Sequence, residues 1–139
     1  MYLDTSVLVK RYTVEPDSAE VDELLVGATL VTSELAVGEV WSALLSKERG
    51  RIINAAQRAA AWQAFNEDIA EGALRMIPLD GGRIREANEA MLSVHPHVPL
   101  RTLDAIHLAT YQSVVTGPLF TKDKRMQDAA KLLGLVIVE

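Results

Sequence analysis

Four acidic residues of this chain stand where acids are costly. Asp4 is the only charged residue among positions 1–9, and Glu39 is the only one between Leu35 and Ser46, inside Leu-Ala-Val-Gly-Glu-Val-Trp-Ser-Ala-Leu-Leu. Asp104 is the only Asp, Glu, Lys or Arg from Thr102 to Thr121, and Asp123 closely follows the apolar pair Leu119-Phe120. An ionised carboxylate in apolar surroundings costs several kcal/mol unless something compensates it. Each acid also has an ordinary explanation. Asp4 and Asp123 can cap helices, and Asp104 can complement a helix dipole for less than ~1 kcal/mol. Glu39 has the weakest such explanation, because it lies within a helical stretch that needs no cap there. Converging carboxylates repel one another unless a cation neutralises them. Oxygen ligands without Cys or His favour Mg²⁺ or Mn²⁺ over zinc. Such a cluster suits in-line attack on a phosphodiester.

The elements that must position these acids alternate along the chain. Strands are expected at Tyr2-Leu3, Thr29-Leu30-Val31, Leu74 to Ile77, Pro118-Leu119-Phe120 and Leu135 to Val138. Helices are expected from Thr5 to Tyr12, capped by Thr5 or Ser6, and from Asp17 to Val26, ended by Gly27. A long helix capped by Thr32 or Ser33 runs to Arg49 and stops at Gly50. An amphipathic helix spans Asn54 to Glu71, with Ala55, Trp62, Phe65 and Ile69 on its apolar side. Asp80 caps a helix through Leu92, a loop covers Val94 to Leu100, Thr102 caps a helix to Val114, and Lys124 to Leu132 forms another. Short strands alternating with helices imply parallel pairing and an α/β sandwich with helices on both faces. In open parallel sheets the ligand site lies beyond the carboxyl ends of the strands. Two of the acids follow strands and two lie near helix starts, so all four are expected above one sheet edge.

The chain has 139 residues, 49% of them apolar, the size of one ordinary domain, expected to span 1–139 without repeat or linker. It contains no cysteine, which excludes disulfides, zinc–thiolate sites and thiol nucleophiles and fits a reducing, cytoplasmic setting. No signal peptide is expected, because the first apolar stretch is short, carries Asp4 and precedes Lys10 and Arg11. No run approaches the ~20 apolar residues of a membrane span. A net charge of -5 argues against a broad basic face that coats nucleic acid, though not against gripping a few phosphates beside an acidic cluster. Lys10 and Arg11, Lys47, Arg49 and Arg51, and Lys122, Lys124 and Arg125 lie near the acids in sequence; as groups they are read first as solvated helix faces.

Four strings carry a resemblance across essentially the whole chain: Leu3-Asp4-Thr5-Ser6-Val7-Leu8-Val9-Lys10, Ser33-Glu34-Leu35-Ala36-Val37-Gly38-Glu39-Val40, Leu103-Asp104-Ala105-Ile106-His107-Leu108-Ala109-Thr110, and Phe120-Thr121-Lys122-Asp123. Each is weakly specific alone, but their order and spacing resemble the four motifs of PIN domains, and in particular VapC-type toxins of prokaryotic toxin–antitoxin pairs. The resemblance implies a three-layer α/β/α sandwich around a parallel sheet of strand order 3-2-1-4-5. It implies an acidic pocket of Asp4, Glu39, Asp104 and Asp123 that binds Mg²⁺ or Mn²⁺ and cleaves RNA. Ser6 and Thr121 match positions whose hydroxyls support the acids. A homodimer, a higher assembly with an inhibitory VapB-like antitoxin, and RNA as substrate are implied as well. Tyr111, where a small residue is more usual, and the His95-Pro96-His97 loop are the less typical features.

Other residues have milder expectations. Arg101, just ahead of the Asp104 helix, is a phosphate-binding candidate. His107 lies three residues after Asp104 and is expected as a packed core histidine, within reach of a hydrogen bond to Asp104. His95 and His97 read as an ordinary loop, and Trp41, Trp62 and Phe65 as core or dimer contacts rather than base-stacking groups. The alternative to a nuclease is a non-catalytic module of the same fold that acts by pairing with its antitoxin and regulating operator DNA. A receiver or a dehalogenase-like phosphatase fits poorly, since Thr5 and Ser6 follow Asp4 where those folds need a further acid nearby.

Overall fold

The computed structural model describes residues 1–114 and 117–138. Its strands are β1 (Tyr2–Leu3), β2 (Leu30–Ser33), β3 (Leu74–Ile77), β4 (Leu119–Phe120) and β5 (Ile137–Val138). They form one parallel sheet of order β3-β2-β1-β4-β5, with Tyr2 level with Val31 on one side and Leu119 on the other. The helices are α1 (Thr5–Tyr12), α2 (Ser18–Leu25), α3 (Leu35–Arg49), α4 (Ala55–Ala70), α5 (Gly81–Val94), α6 (Thr102–Val114) and α7 (Lys124–Leu132).

Strand alternation sorts the helices into two layers. Leu3, Leu30, Leu74 and Phe120 face Val7, Leu8, Val21, Leu25, Val40, Leu44 and Phe65, which come from α1 to α4. Tyr2, Val31, Ile77 and Leu119 face the other way, onto Val94, Leu108, Tyr111, Met126 and Ala129 of α5, α6 and α7. The centre of the sheet is buried on both faces, as parallel sheets require, and its strands are correspondingly apolar throughout. Burying a side chain such as Phe65 or Leu44 stabilises the fold by ~1.5–3 kcal/mol. The expected three-layer α/β/α architecture and strand order are both observed. No helix among the described residues is long and apolar enough to cross a membrane.

The differences from the sequence reading are at element ends. Asp4, not Thr5 or Ser6, caps α1, its carboxylate accepting from the Val7 N–H at 3.2 Å. The α3 cap position is Glu34, with no side-chain cap bond of its own; Ser33 Oγ accepts from the Leu35 N–H at 3.2 Å instead. Thr102 lies inside α6, whose Ala105 N–H reaches back to the Arg101 carbonyl. The Thr32 hydroxyl is spent elsewhere, donating to the Leu3 carbonyl at 2.8 Å across the sheet. α5 continues two residues beyond Leu92, and β5 is shorter than expected because Leu135 and Val136 precede the pairing. The caps expected at Asp80 and Asn54 are present, the latter as a reciprocal capping box with Gln57. Gly27, at φ 73, ends α2 in a left-handed conformation that L side chains rarely adopt.

Candidate active site

The carboxyl edge of the sheet builds the site. β1 delivers Asp4 at its last step, and β4 delivers Thr121 and then Asp123 as the cap of α7. α3 starts just past β2 and carries Glu39 in its second turn, while α6 opens with Asp104 in its first. The four acids line one cleft of about 150 Å³ together with Thr5, Ser6, Arg101 and His107. The cap explanation and the convergence explanation therefore both hold: Asp4 and Asp123 cap α1 and α7 with Oδ1 while remaining on the cleft wall.

Asp4 is held by neutral donors. Its Oδ1 accepts from Ser6 Oγ at 2.7 Å and from the Val7 N–H, and its Oδ2 accepts from Thr121 Oγ1 at 2.7 Å. Those two hydroxyls also tie the motifs together. Ser6 Oγ accepts the Lys122 N–H at 2.9 Å, and Thr121 Oγ1 accepts the Asp123 N–H at 3.1 Å. Ser6 and Thr121 thus each join the Asp4 carboxylate to the backbone of the segment that follows β4. Asp4 is only 4% exposed, and burial pushes its carboxyl above the ordinary carboxylate value even though the Thr121, Ser6 and Val7 contacts pull the other way. A buried acid held only by neutral donors has, once ionised, a charge that a cation in the cleft can balance.

Glu39 is held differently. Its Oε1 accepts from Thr5 Oγ1 at 2.7 Å and lies 2.6 Å from His107 Nε2. His107 is buried, and its Nδ1 lies 2.7 Å from the Tyr2 hydroxyl. The tautomer that satisfies both contacts has Tyr2 donating to Nδ1 and Nε2–H donating to Glu39. Burial alone pushes the Glu39 carboxyl up, but the His107 contact and the Thr5 hydroxyl bring it below its ordinary value. Glu39 is therefore an ionised acid whose Oε1 is fixed. His107 is a core histidine, as expected, but its partner is Glu39 and not Asp104. The periodicity of α6 could not reveal this, because the contact joins residues 68 apart. Thr5 and Tyr2 were the other contributors that the sequence reading missed.

Arg101 closes the cleft. Its Nε donates to Asp104 Oδ2 and its Nη2 to Asp123 Oδ2, both at 3.0 Å, and its side chain is 60% exposed. It is placed among the acids themselves, beyond the phosphate-binding position expected of it. Three other cations near the motifs are taken up by ion pairs: Lys10 pairs with Glu15 and Asp17, Lys47 with Glu15, and Arg11 with Asp68. Trp41 and Trp62 pack with ring centres 4.8 Å apart and planes inclined at 54°, and Trp62 continues onto Phe65, so this trio joins α3 to α4.

The match extends beyond the site. The model of the PIN domain matches residues 1–132. The chain belongs to the PIN-domain family. Its PIN relatives include Ribonuclease VapC46 of Mycobacterium tuberculosis, 39% identical over 141 residues that cover 99% of this chain and 95% of that protein. Ribonuclease VapC35 of the same organism is 30% identical over 147 residues, with the same coverage. Among solved structures, Mycobacterium tuberculosis VapC20, described as a sarcin-ricin loop cleaving toxin, superimposes with a TM-score of 0.74 at 19% identity. That alignment covers 99% of this chain and 98% of the other, and it shows a common PIN-like fold.

As arranged, no three His, Asp or Glu groups among the described residues form a ready metal shell. The Arg101 guanidinium spans Asp104 and Asp123, and His107 and Thr5 take the Oε1 of Glu39. The chemistry of the donor set nevertheless fits a hard divalent cation, since every acidic ligand offers oxygen and Asp4 lacks a compensating charge.

Proposed function

We propose that this chain is a Mg²⁺- or Mn²⁺-dependent endoribonuclease, the toxin of a VapBC-type pair, folded as one PIN-like domain and acting in the cytoplasm. The observation that carries the proposal is the meeting of Asp4, Glu39, Asp104 and Asp123 on one cleft at the carboxyl edge of the sheet. The ribonuclease names of its relatives support it. So does the chemistry of the cleft, which gathers negative charge with too few cations to balance it.

In this account Asp4, Glu39, Asp104 and Asp123 hold the cations, which when bound supply a water-derived nucleophile and neutralise the leaving oxygen. The chain's own contribution is positional. Ser6 and Thr121 fix both oxygens of Asp4, and Thr5 and His107 fix Oε1 of Glu39, leaving Oε2 without a hydrogen-bond partner among the described residues. Tyr2 sets the orientation of the imidazole behind it. A homodimer and a VapB-like antitoxin follow from the same family reading. An arginine from an antitoxin can fork onto the carboxylates much as Arg101 does within the chain. Its apolar segment has a groove of about 340 Å³ to enter between α1 and α4, where Val14 and Ile52 are exposed. Trp41 and Trp62 offer that segment less, because their rings pack on each other.

The test is cleavage of total RNA by purified, antitoxin-free protein with Mn²⁺, Mg²⁺ or chelator. Cleavage should require the ion, and Asp104→Asn should lower the rate at least ~10²-fold. RNA left intact under every metal condition would favour the non-catalytic module over the nuclease.

A further inference from the structure

Arg101 is the only lysine or arginine lining the acidic cleft among the described residues. Its backbone is fixed, because its carbonyl accepts the Ala105 N–H at 2.9 Å as α6 begins. Its side chain is not, being 60% exposed with the guanidinium at the cleft mouth. The fork takes one oxygen from each of two acids on different elements, Asp104 Oδ2 on α6 and Asp123 Oδ2 at the cap of α7. These two carboxylates are 14% and 28% exposed, and side by side they repel unless a positive charge lies between them. The guanidinium therefore does in the protein alone what a divalent ion is proposed to do in the loaded enzyme.

We propose that Arg101 is a built-in counter-ion: it bridges Asp104 and Asp123 in the metal-free protein, yields those oxygens to the divalent ion, and swings outward to receive a substrate phosphate. The inference rests on the metal-dependent ribonuclease proposed above and deepens it. Three features support it. A guanidinium spreads a single charge over a planar fork, whereas Mg²⁺ or Mn²⁺ concentrates two charges on one centre, so the ion wins hard carboxylate oxygens. Pairs this exposed are weak, so the arginine can be displaced. Once released, it remains on a fixed backbone beside the cleft, where bidentate donors suit a phosphate that carries two free oxygens. Holding Asp104 and Asp123 together before the metal arrives also keeps the apo site from splaying apart.

The consequence is a pair of effects opposite in sign. Removing the arginine removes a competitor for the metal and at the same time removes a phosphate ligand. Calorimetric titration of the full chain with Mn²⁺ reads the first effect. Arg101→Ala should bind Mn²⁺ about three- to tenfold more tightly than wild type, the scale of a displaced surface pair. It should also show a larger Mn²⁺-induced rise in melting temperature. Arg85→Ala removes the same charge from an exposed position on α5 and should stay within about twofold of wild type. Arg101→Lys should fall between wild type and Arg101→Ala, because a lysine is a point charge that cannot fork across both acids. The second effect is read at saturating Mn²⁺, where Arg101→Ala should raise KM for RNA more than it lowers kcat. If Arg101→Ala binds Mn²⁺ no more tightly than Arg85→Ala, the counter-ion role is wrong, even if KM rises. If Mn²⁺ binds more tightly but KM is unmoved, the outward swing onto phosphate is wrong. If neither wild type nor Arg101→Ala binds Mn²⁺, the metal-dependent nuclease falls together with this inference.

Discussion

His107 Nε2 lies 2.6 Å from Glu39 Oε1, linking the core of α6 to an acid on α3. A buried imidazole, itself held at 2.7 Å by Tyr2 on the central strand, thus sets the position of one wall of the cleft. The contact turns the interior of the sheet into a support for the site.

That support predicts a kinetic signature. His107→Asn shortens the side chain and breaks the line from Tyr2 to Glu39, so kcat should fall about 10- to 100-fold. KM for RNA should change little, because His107 is only 2% exposed and acts through Glu39. Tyr2→Phe removes only the hydroxyl behind the imidazole and should lower kcat by less. Steady-state rates of the two variants check this. A large loss in Tyr2→Phe with none in His107→Asn would reverse the order of dependence.

Asp4 makes a prediction about stability and its pH dependence. Burial raises its carboxyl pKa in the folded chain above the ordinary 3.8, so its charge destabilises the metal-free fold at neutral pH. Asp4→Asn should keep the cap on Val7 and remove that charge, raising the metal-free melting temperature by a few degrees, on the order of 1 kcal/mol. The sign of the pH dependence follows. Below 3.8 Asp4 is protonated in both folded and unfolded chains and costs nothing; the cost grows as pH rises and is complete above the raised folded pKa. The advantage of Asp4→Asn should therefore shrink as pH falls and vanish below 3.8. The same variant should lose the Mn²⁺-induced melting shift. Melting curves across pH, with and without Mn²⁺, decide both points.

Thr121→Val is nearly isosteric yet leaves Asp4 Oδ2 and the Asp123 N–H without their partner. Urea unfolding should show a loss of ~1–3 kcal/mol, the cost of stranding buried polar groups. A neutral result would mean that the two groups find other partners.

The sequence showed the four acids plainly, because each is a lone charge in an apolar run and only a shared site accounts for all four. It showed the layers as well, since each short strand is separated from the next by one or two helices. Helix starts were less legible. Asp4-Thr5-Ser6 offers three consecutive capping side chains, and Asp4 takes the cap while Thr5 turns to Glu39 and Ser6 to Asp4. Arg101 and His107 were visible as candidates, but their partners were not. Which carboxylate a side chain meets depends on how α3, α6 and α7 sit over the sheet edge, and local spacing carries no record of that.

We propose that the cleft cuts RNA by metal-assisted hydrolysis, with His107 as a support for Glu39, and the product ends distinguish this from cleavage by the ribose hydroxyl. A metal-derived nucleophile spares the ribose hydroxyl and leaves 5′-phosphate and 3′-hydroxyl termini, whereas attack by the 2′-hydroxyl with an imidazole as base leaves 2′,3′-cyclic phosphate and 5′-hydroxyl. End analysis of RNA cut by the purified chain in Mn²⁺ should find 5′-phosphates, with no cleavage after chelation. Cyclic phosphates formed equally well in chelator would contradict the account and make His107 the chemical centre of the cleft.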